Sequence, residues 1–191
     1  REIHHRVKNN LQTVSALLRL QSRRSDEDAV KVALAEAERR VQAIATVHAA
    51  LSQNVDESVD FDEVARTIVR MAGAIASTDH AVEVITTGTF GTISADQAQA
   101  LATVLNELVA NSVEHGLADR DGRIEVCAQR DNLSMKVTVA DDGVGFVPGT
   151  PMSGLGTQIV HQMVRGELRG SIEWAPREGG GTLVTLHINL D

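Results

Sequence analysis

The sequence predicts an α+β protein in which a helical hairpin precedes a two-layer α/β sandwich, and three observations carry that prediction. The first 55 or so residues show only helical periodicity. Further on, short segments alternate apolar and polar residues, the period of strands covered on one face. Helical patterns stand between those segments, and helices mixed with mainly antiparallel strands pack best as one layer on another.

Taken in order, Ile3, Val7, Leu11, Val14 and Leu18 recur at spacings of 4, 4, 3 and 4, one face of an amphipathic helix. Ser25 and Asp26 offer a cap for a second helix, where Val30, Leu34, Ala37, Val41, Ile44, His48 and Leu51 alternate spacings of 4 and 3. That is a heptad-like seam. One hairpin has too little core to be stable alone, so pairing two into a four-helix homodimer is expected. Residues 1–54 are assigned to this unit and 55–191 to the second domain. There, helices are expected over 61–77, 96–115 and 156–166. Strands are expected over 82–87, 123–130, 134–140, 170–174 and 182–190.

With 18 Lys plus Arg against 26 Asp plus Glu, the net charge is −8, which argues against general nucleic-acid binding. Aromatics are scarce, with three Phe, one Trp and no Tyr, so aliphatic residues must build the core. The one cysteine, Cys127, excludes an internal disulfide framework and a Cys-rich metal site. No apolar run approaches the roughly 20 residues that cross a bilayer. A cytoplasmic setting without direct membrane contact is expected, and the chain reads as part of something longer.

Four clusters carry chemistry. In REIHHRVKNNL, His5 falls on an outer helix face with Lys8, Asn9 and Gln12, while His4 sits at the edge of the apolar stripe. An ordinary imidazole pKa of about 6.5 leaves His5 largely neutral and nucleophilic at pH 7. Alone, such a histidine is a solvated side chain, and His48 on the seam reads as a hydrogen-bonded core histidine. In LNELVANSVEHG, residues 105–116, Glu107, Asn111 and His115 form one ladder beside the stripe of Leu101, Leu105 and Leu108. A carboxylate and an amide oxygen in one row can position Mg²⁺ or its water, although such residues on a helix flank are usually plain surface. In DDGVGF, residues 141–146, Gly143 and Gly145 permit close approach of a flat ligand, and Asp141 can accept from an exocyclic amine. In SGLGTQIV, residues 153–160, Gly154 and Gly156 lead into a helix whose free N–H groups suit phosphate. Each is also compatible with an ordinary turn or helix start, as GGGT at 179–182 is with a hairpin turn.

Together, in this order, the clusters resemble the sensor histidine kinases, with a C-terminal domain similar to the Bergerat-fold ATPases (gyrase, the Hsp90 chaperone and the MutL repair protein). Residues 105–116 match the N box, 141–146 the first glycine box and 153–158 the second. HHRVKNN resembles the acceptor motif of the HWE kinases and of their sister group, the second dimerisation type. The W-x-E motif is missing before Asp141, which favours the sister group, although His115 matches the N-box histidine of the HWE kinases. The resemblance implies ATP and Mg²⁺ as ligands, His5 as phosphoacceptor, Asn111 as metal ligand and Asp141 as reader of the adenine amine. It implies that Gly143, Gly145, Gly154 and Gly156 shape the pocket, with Thr182 near the adenine edge. It also implies a receiver-domain aspartate of a response regulator as partner. Arg6 stands where common histidine kinases carry an acid, so Glu107 is the candidate base. Glu114 stands where many relatives carry a phosphate-reaching lysine, so Lys8 or Arg6 is expected to help, under a small lid between Gly145 and Gly154. A Bergerat-fold serine kinase or ATPase, of the anti-sigma-factor type, does not need the hairpin. A degenerate ATP-binding scaffold does not need Glu107, Asn111, Asp141 and both glycine boxes intact.

Overall fold

A computed structural model describes the backbone over residues 2–52, 58–76, 80–149 and 154–191, and side chains over 6–52, 58–74, 80–149 and 154–191. The chain begins with two helices, α1 (Glu2–Arg24) and α2 (Asp28–Leu51), packed as a hairpin. Ser25 does not cap α2 as expected. Glu27 holds the cap position without a side-chain bond, and the Ser25 hydroxyl accepts from the Glu27 N–H at 3.3 Å. A polar clasp sets the register of the two helices. Gln42 Nε2 donates to Ser15 Oγ at 2.6 Å, and Arg19 pairs with Glu38.

The seam of α2 is not buried within one chain. Val30 is exposed, and Leu34, Ala37, Val41, Ile44, His48 and Leu51 are half-buried. Val14, Leu17 and Leu20 of α1 are exposed as well. What α2 does bury is a second stripe, Arg39, Ala43 and Val47, at spacings of four. Val47 enters the main core, and α2 packs on the long helix of the second domain. The boundary expected between residues 54 and 55 lies outside the described residues. His48 departs from expectation, for its Nδ1 is buried with no hydrogen-bond partner among the described residues.

The hairpin is followed by β1 (Ser58–Asp60), α3 (Phe61–Ala76), β2 (Val82–Gly88), β3 (Thr92–Ser94) and α4 (Ala95–Asn111). After a π-helical turn at Ser112–Gly116 come β4 (Gly122–Arg130), β5 (Ser134–Asp141), α5 (Leu155–Arg165), β6 (Ser171–Pro176) and β7 (Thr182–Asn189). The five-stranded sheet runs β2-β4-β5-β7-β6, with β2 parallel to β4 and the other pairs antiparallel. Helices α3, α4 and α5 form the second layer. The short pair β1 and β3 was not foreseen, since three residues are too few to show an alternating period. Val59 and Ile93 pair there and are buried.

Ser94 caps α4, its hydroxyl accepting from the Gln97 N–H at 3.4 Å, which satisfies one of the donors a helix start leaves open. Leu101, Leu105 and Leu108 are buried as the expected stripe of α4. Aliphatic residues dominate the core, with Phe61 and Phe90 at 5.3 Å between ring centroids as its aromatic pair. Among the described residues, no helix is long and apolar enough to cross a membrane.

Candidate nucleotide site

Strand period places the first site residue. Along β5, Met135, Val137, Val139 and Asp141 share the buried face, so the last member of an apolar series is a carboxylate only 3% exposed. It ends its strand opposite Thr182, the first residue of β7. Burial pushes the Asp141 carboxyl above the ordinary aspartate range, and the Gly143 N–H, the Ser112 hydroxyl and the backbone at Thr182 pull it back only partly. The Gly143 N–H donates to Oδ1 at 2.9 Å. Asp142 has a different task, accepting from the Arg123 N–H at 2.7 Å. Gly143 sits so close to the end of the N box that a Cβ there would lie 2.2 Å from the Gly116 carbonyl oxygen. Any side chain would push the two segments apart. The contact is sealed by the Val144 N–H, which donates to the same carbonyl at 3.0 Å.

The expected helix over 96–115 ends differently from an ordinary α-helix. Its last turn widens to a π-turn, closed by Leu117 N–H donating to the Ser112 carbonyl at 3.0 Å, a distortion common at functional sites. Asn111, just before that turn, and His115, within it, line a cavity of about 340 Å³, within the range of small-molecule sites. Asp141, Gly145, Gly154, Gly156 and Thr182 line the same cavity. Gly143 does not line it but supports its wall. Phe146 and Trp174 add apolar surface, and Trp174 also lies 5.3 Å from the His161 ring.

Glu107, one turn before Asn111, lies at the cavity and is 1% exposed. Its carboxylate is held by a fork from the hairpin, with Arg40 Nε at 2.6 Å and Nη2 at 3.2 Å. Arg39 Nη2 stands 3.9 Å away, and Arg39 Nη1 reaches Glu114 at 3.4 Å. A Cβ on Gly156 would lie 2.5 Å from Glu107 Oε2, so the second glycine box closes directly over this carboxylate. Among the described residues, no three His, Cys, Asp or Glu side chains form a group able to hold a metal. A divalent ion would therefore need oxygens from phosphate and water beside Asn111, the mode typical of Mg²⁺.

The cavity thus gathers Glu107, Asn111, His115, Asp141, Gly145, Gly154, Gly156 and Thr182. The side chains of His4 and His5 lie outside the described residues, as do residues 150–153 of the expected lid. Neither Lys8 nor Arg6 lines the cavity; Arg39 and Arg40 do. These arginines were missed because charged side chains in mid-helix normally face water. The available signal was the spacing of Arg39 from Ala43 and Val47, a second stripe beside the seam.

Comparison with known proteins gives the family of the chain. Residues 2–75 match the family described as histidine kinase. Residues 96–191 match the family described as histidine kinase-, DNA gyrase B- and HSP90-like ATPase. The chain is 44% identical to the sensor histidine kinase PdtaS of Mycobacterium tuberculosis over 193 residues, covering 98% of this chain but 38% of that protein. Against PdtaS of Mycolicibacterium smegmatis it is 44% identical over 195 residues, covering 100% of this chain and 39% of the relative. The chain therefore spans well under half the length of these relatives. The histidine kinase domain of a blue-light activated kinase from Erythrobacter litoralis shares the fold, with a TM-score of 0.71 at 20% identity over 100% of this chain and 95% of that one. A helical hairpin of the histidine kinase type joined to a gyrase- and HSP90-like ATPase domain makes this chain a member of the histidine kinase family.

Proposed function

We propose that this chain is the core of a homodimeric sensor kinase that binds Mg-ATP, phosphorylates its own His5 and passes the phosphoryl group to a response-regulator aspartate. The observation that carries this reading is one cavity lined by Asn111, Asp141 and both glycine clusters, in a chain whose first helix bears the HHRVKNN segment. Asp141 accepts from the adenine amine, Thr182 lies beside it, and Gly154 and Gly156 present the start of α5 to the phosphates. Bound next to Asn111, Mg²⁺ would neutralise phosphate charge. The His5 imidazole attacks the γ-phosphorus in line as the bond to the β-phosphate oxygen breaks, and ADP leaves. Incubation with γ-labelled ATP tests this, since label on histidine is acid-labile. Acid-stable label would instead favour a serine kinase, and nucleotide binding without label a scaffold.

Adenine recognition and stability should separate at Asp141. Burial raises its pKa, so folding disfavours the charged carboxylate relative to the unfolded chain; the cost sets in as pH rises past the ordinary aspartate range and is complete above the raised pKa. Asp141→Asn removes the cost and weakens the acceptor. The expected outcome is a raised Tm of the nucleotide-free protein with ATP and ADP affinities both reduced about tenfold, the worth of one charge-assisted bond. Thermal shift and titration measure the two effects, and a lowered Tm would show that the accepted hydrogen bonds outweigh burial.

The half-buried seam and the exposed Val14, Leu17, Leu20 and Val30 support pairing of two hairpins. Val41→Asp or Ile44→Lys should yield monomers or aggregates in light scattering, because a charge would then sit in the apolar seam. A stable monomer of the unsubstituted chain at micromolar concentration contradicts the dimer.

A further inference from the structure

Phosphate sites need cations, and among the described residues the ATPase domain contributes neither Lys nor Arg to the cavity. Its titratable lining is otherwise Glu36, Glu107, Glu114, His115 and Asp141. The two permanent cations both come from α2 of the hairpin. Arg39 is 5% exposed, yet its Nε is buried without a hydrogen-bond partner among the described residues, and its other contacts are long, at 3.4 and 3.9 Å. A guanidinium carries five donors, so this one is buried with much of its bonding capacity unused. Such a group marks a place where an acceptor belongs. Arg40 Nη2 lies 3.7 Å from the Cβ position of Gly156, at the first turn of the 11-residue helix α5. Arg40 therefore stands beside the start of a helix, whose free N–H groups also attract anions.

We propose that Arg39 and Arg40 are the phosphate-binding arginines of this pocket, supplied by the hairpin of the same chain to the β- and γ-phosphates of a nucleoside triphosphate. The assignment rests on the ATP-binding reading above. Arg39 presents a buried Nε that has no acceptor among the described residues. Arg40 exchanges the carboxylate fork of Glu107 for phosphate oxygens, a planar match of the same kind. That exchange frees Glu107 at the moment the phosphates arrive, so the cation that guards the carboxylate and the cation that binds the substrate are one residue.

The test uses the full chain and the emission of Trp174, the one tryptophan in the sequence and part of the cavity wall. ATP and adenosine are titrated against the unsubstituted chain, Arg39→Ala, Arg40→Ala and Arg40→Lys. Expected is a loss of ATP affinity of about 10- to 100-fold in each alanine variant, the worth of a charge-assisted bond. Adenosine affinity should be unchanged, and Arg40→Lys should recover part of the loss. Should Arg40→Ala fold poorly because Glu107 is left unpaired, Arg40→Met with Glu107→Gln keeps the site neutral and should show the same selective loss. ATP affinity that is unchanged or raised in these variants overturns the assignment, for the arginines would then only latch the hairpin to the domain. If the unsubstituted chain binds neither ATP nor adenosine, the ATP reading itself falls and takes the assignment with it.

Discussion

His5→Ala should take up no phosphoryl group from ATP while binding the nucleotide as tightly as the unsubstituted chain. The separation follows from where the two functions sit. No described residue of α1 lines the cavity, whereas α2 and the second domain supply its walls. Helical phase points the same way. Lys8, Asn9 and Gln12, which share a face with residue 5 at i+3, i+4 and i+7, are exposed, while Val7 and Leu11 on the inner stripe are half-buried. His4→Ala, at the edge of the stripe, should retain part of the activity. Full incorporation in His5→Ala, with the label still acid-labile, would place the acceptor on another histidine.

Glu107→Gln should slow single-turnover transfer by roughly 10²-fold or more, the usual range for losing a general base. Arg6 occupies the position of the acid found in common histidine kinases, so in the proposed transfer the proton shed by His5 needs another acceptor. Glu107 is the buried carboxylate at the cavity nearest in sequence to Asn111, one turn away. It is engaged by Arg40 and cannot act as a base until that fork opens. The substitution leaves Arg40 without its full counter-charge. ATP affinity should therefore hold or rise, while thermal stability falls, as expected when one member of a buried ion pair is removed. The competing role is ordering of Mg²⁺ and its waters. In that case Mg-ATP binding weakens and high Mg²⁺ restores much of the rate, so a magnesium titration of the transfer rate separates the two. A slow rate that does not respond to metal supports the base.

Much of the architecture was legible along the chain because its signals are local. The periods of α1, α2 and α4, the alternation in β4 and β5, and the glycines that open α5 are written in consecutive residues, and the elements fall within a few residues of their expected bounds. Asp141 was legible for the same reason, since it ends an alternating strand and precedes two closely spaced glycines. Tertiary structure decided what depends on long-range packing. Three-residue strands such as β1 and β3 exist only because they find each other. That Nδ1 of His48 has no partner among the described residues reflects what surrounds it, and periodicity cannot report that. Above all, the docking of α2 on α4 brings Arg39 and Arg40 across 67 to 75 residues of sequence to Glu107 and Glu114. A helix has more than one face, and its heptad seam shows only one of them. Which partner the other face meets, and whether a charge there sees water or a carboxylate, is a matter of distance in space. The sequence by itself determined the family and named most of the residues that line the cavity. Only the fold decided which cations stand beside them.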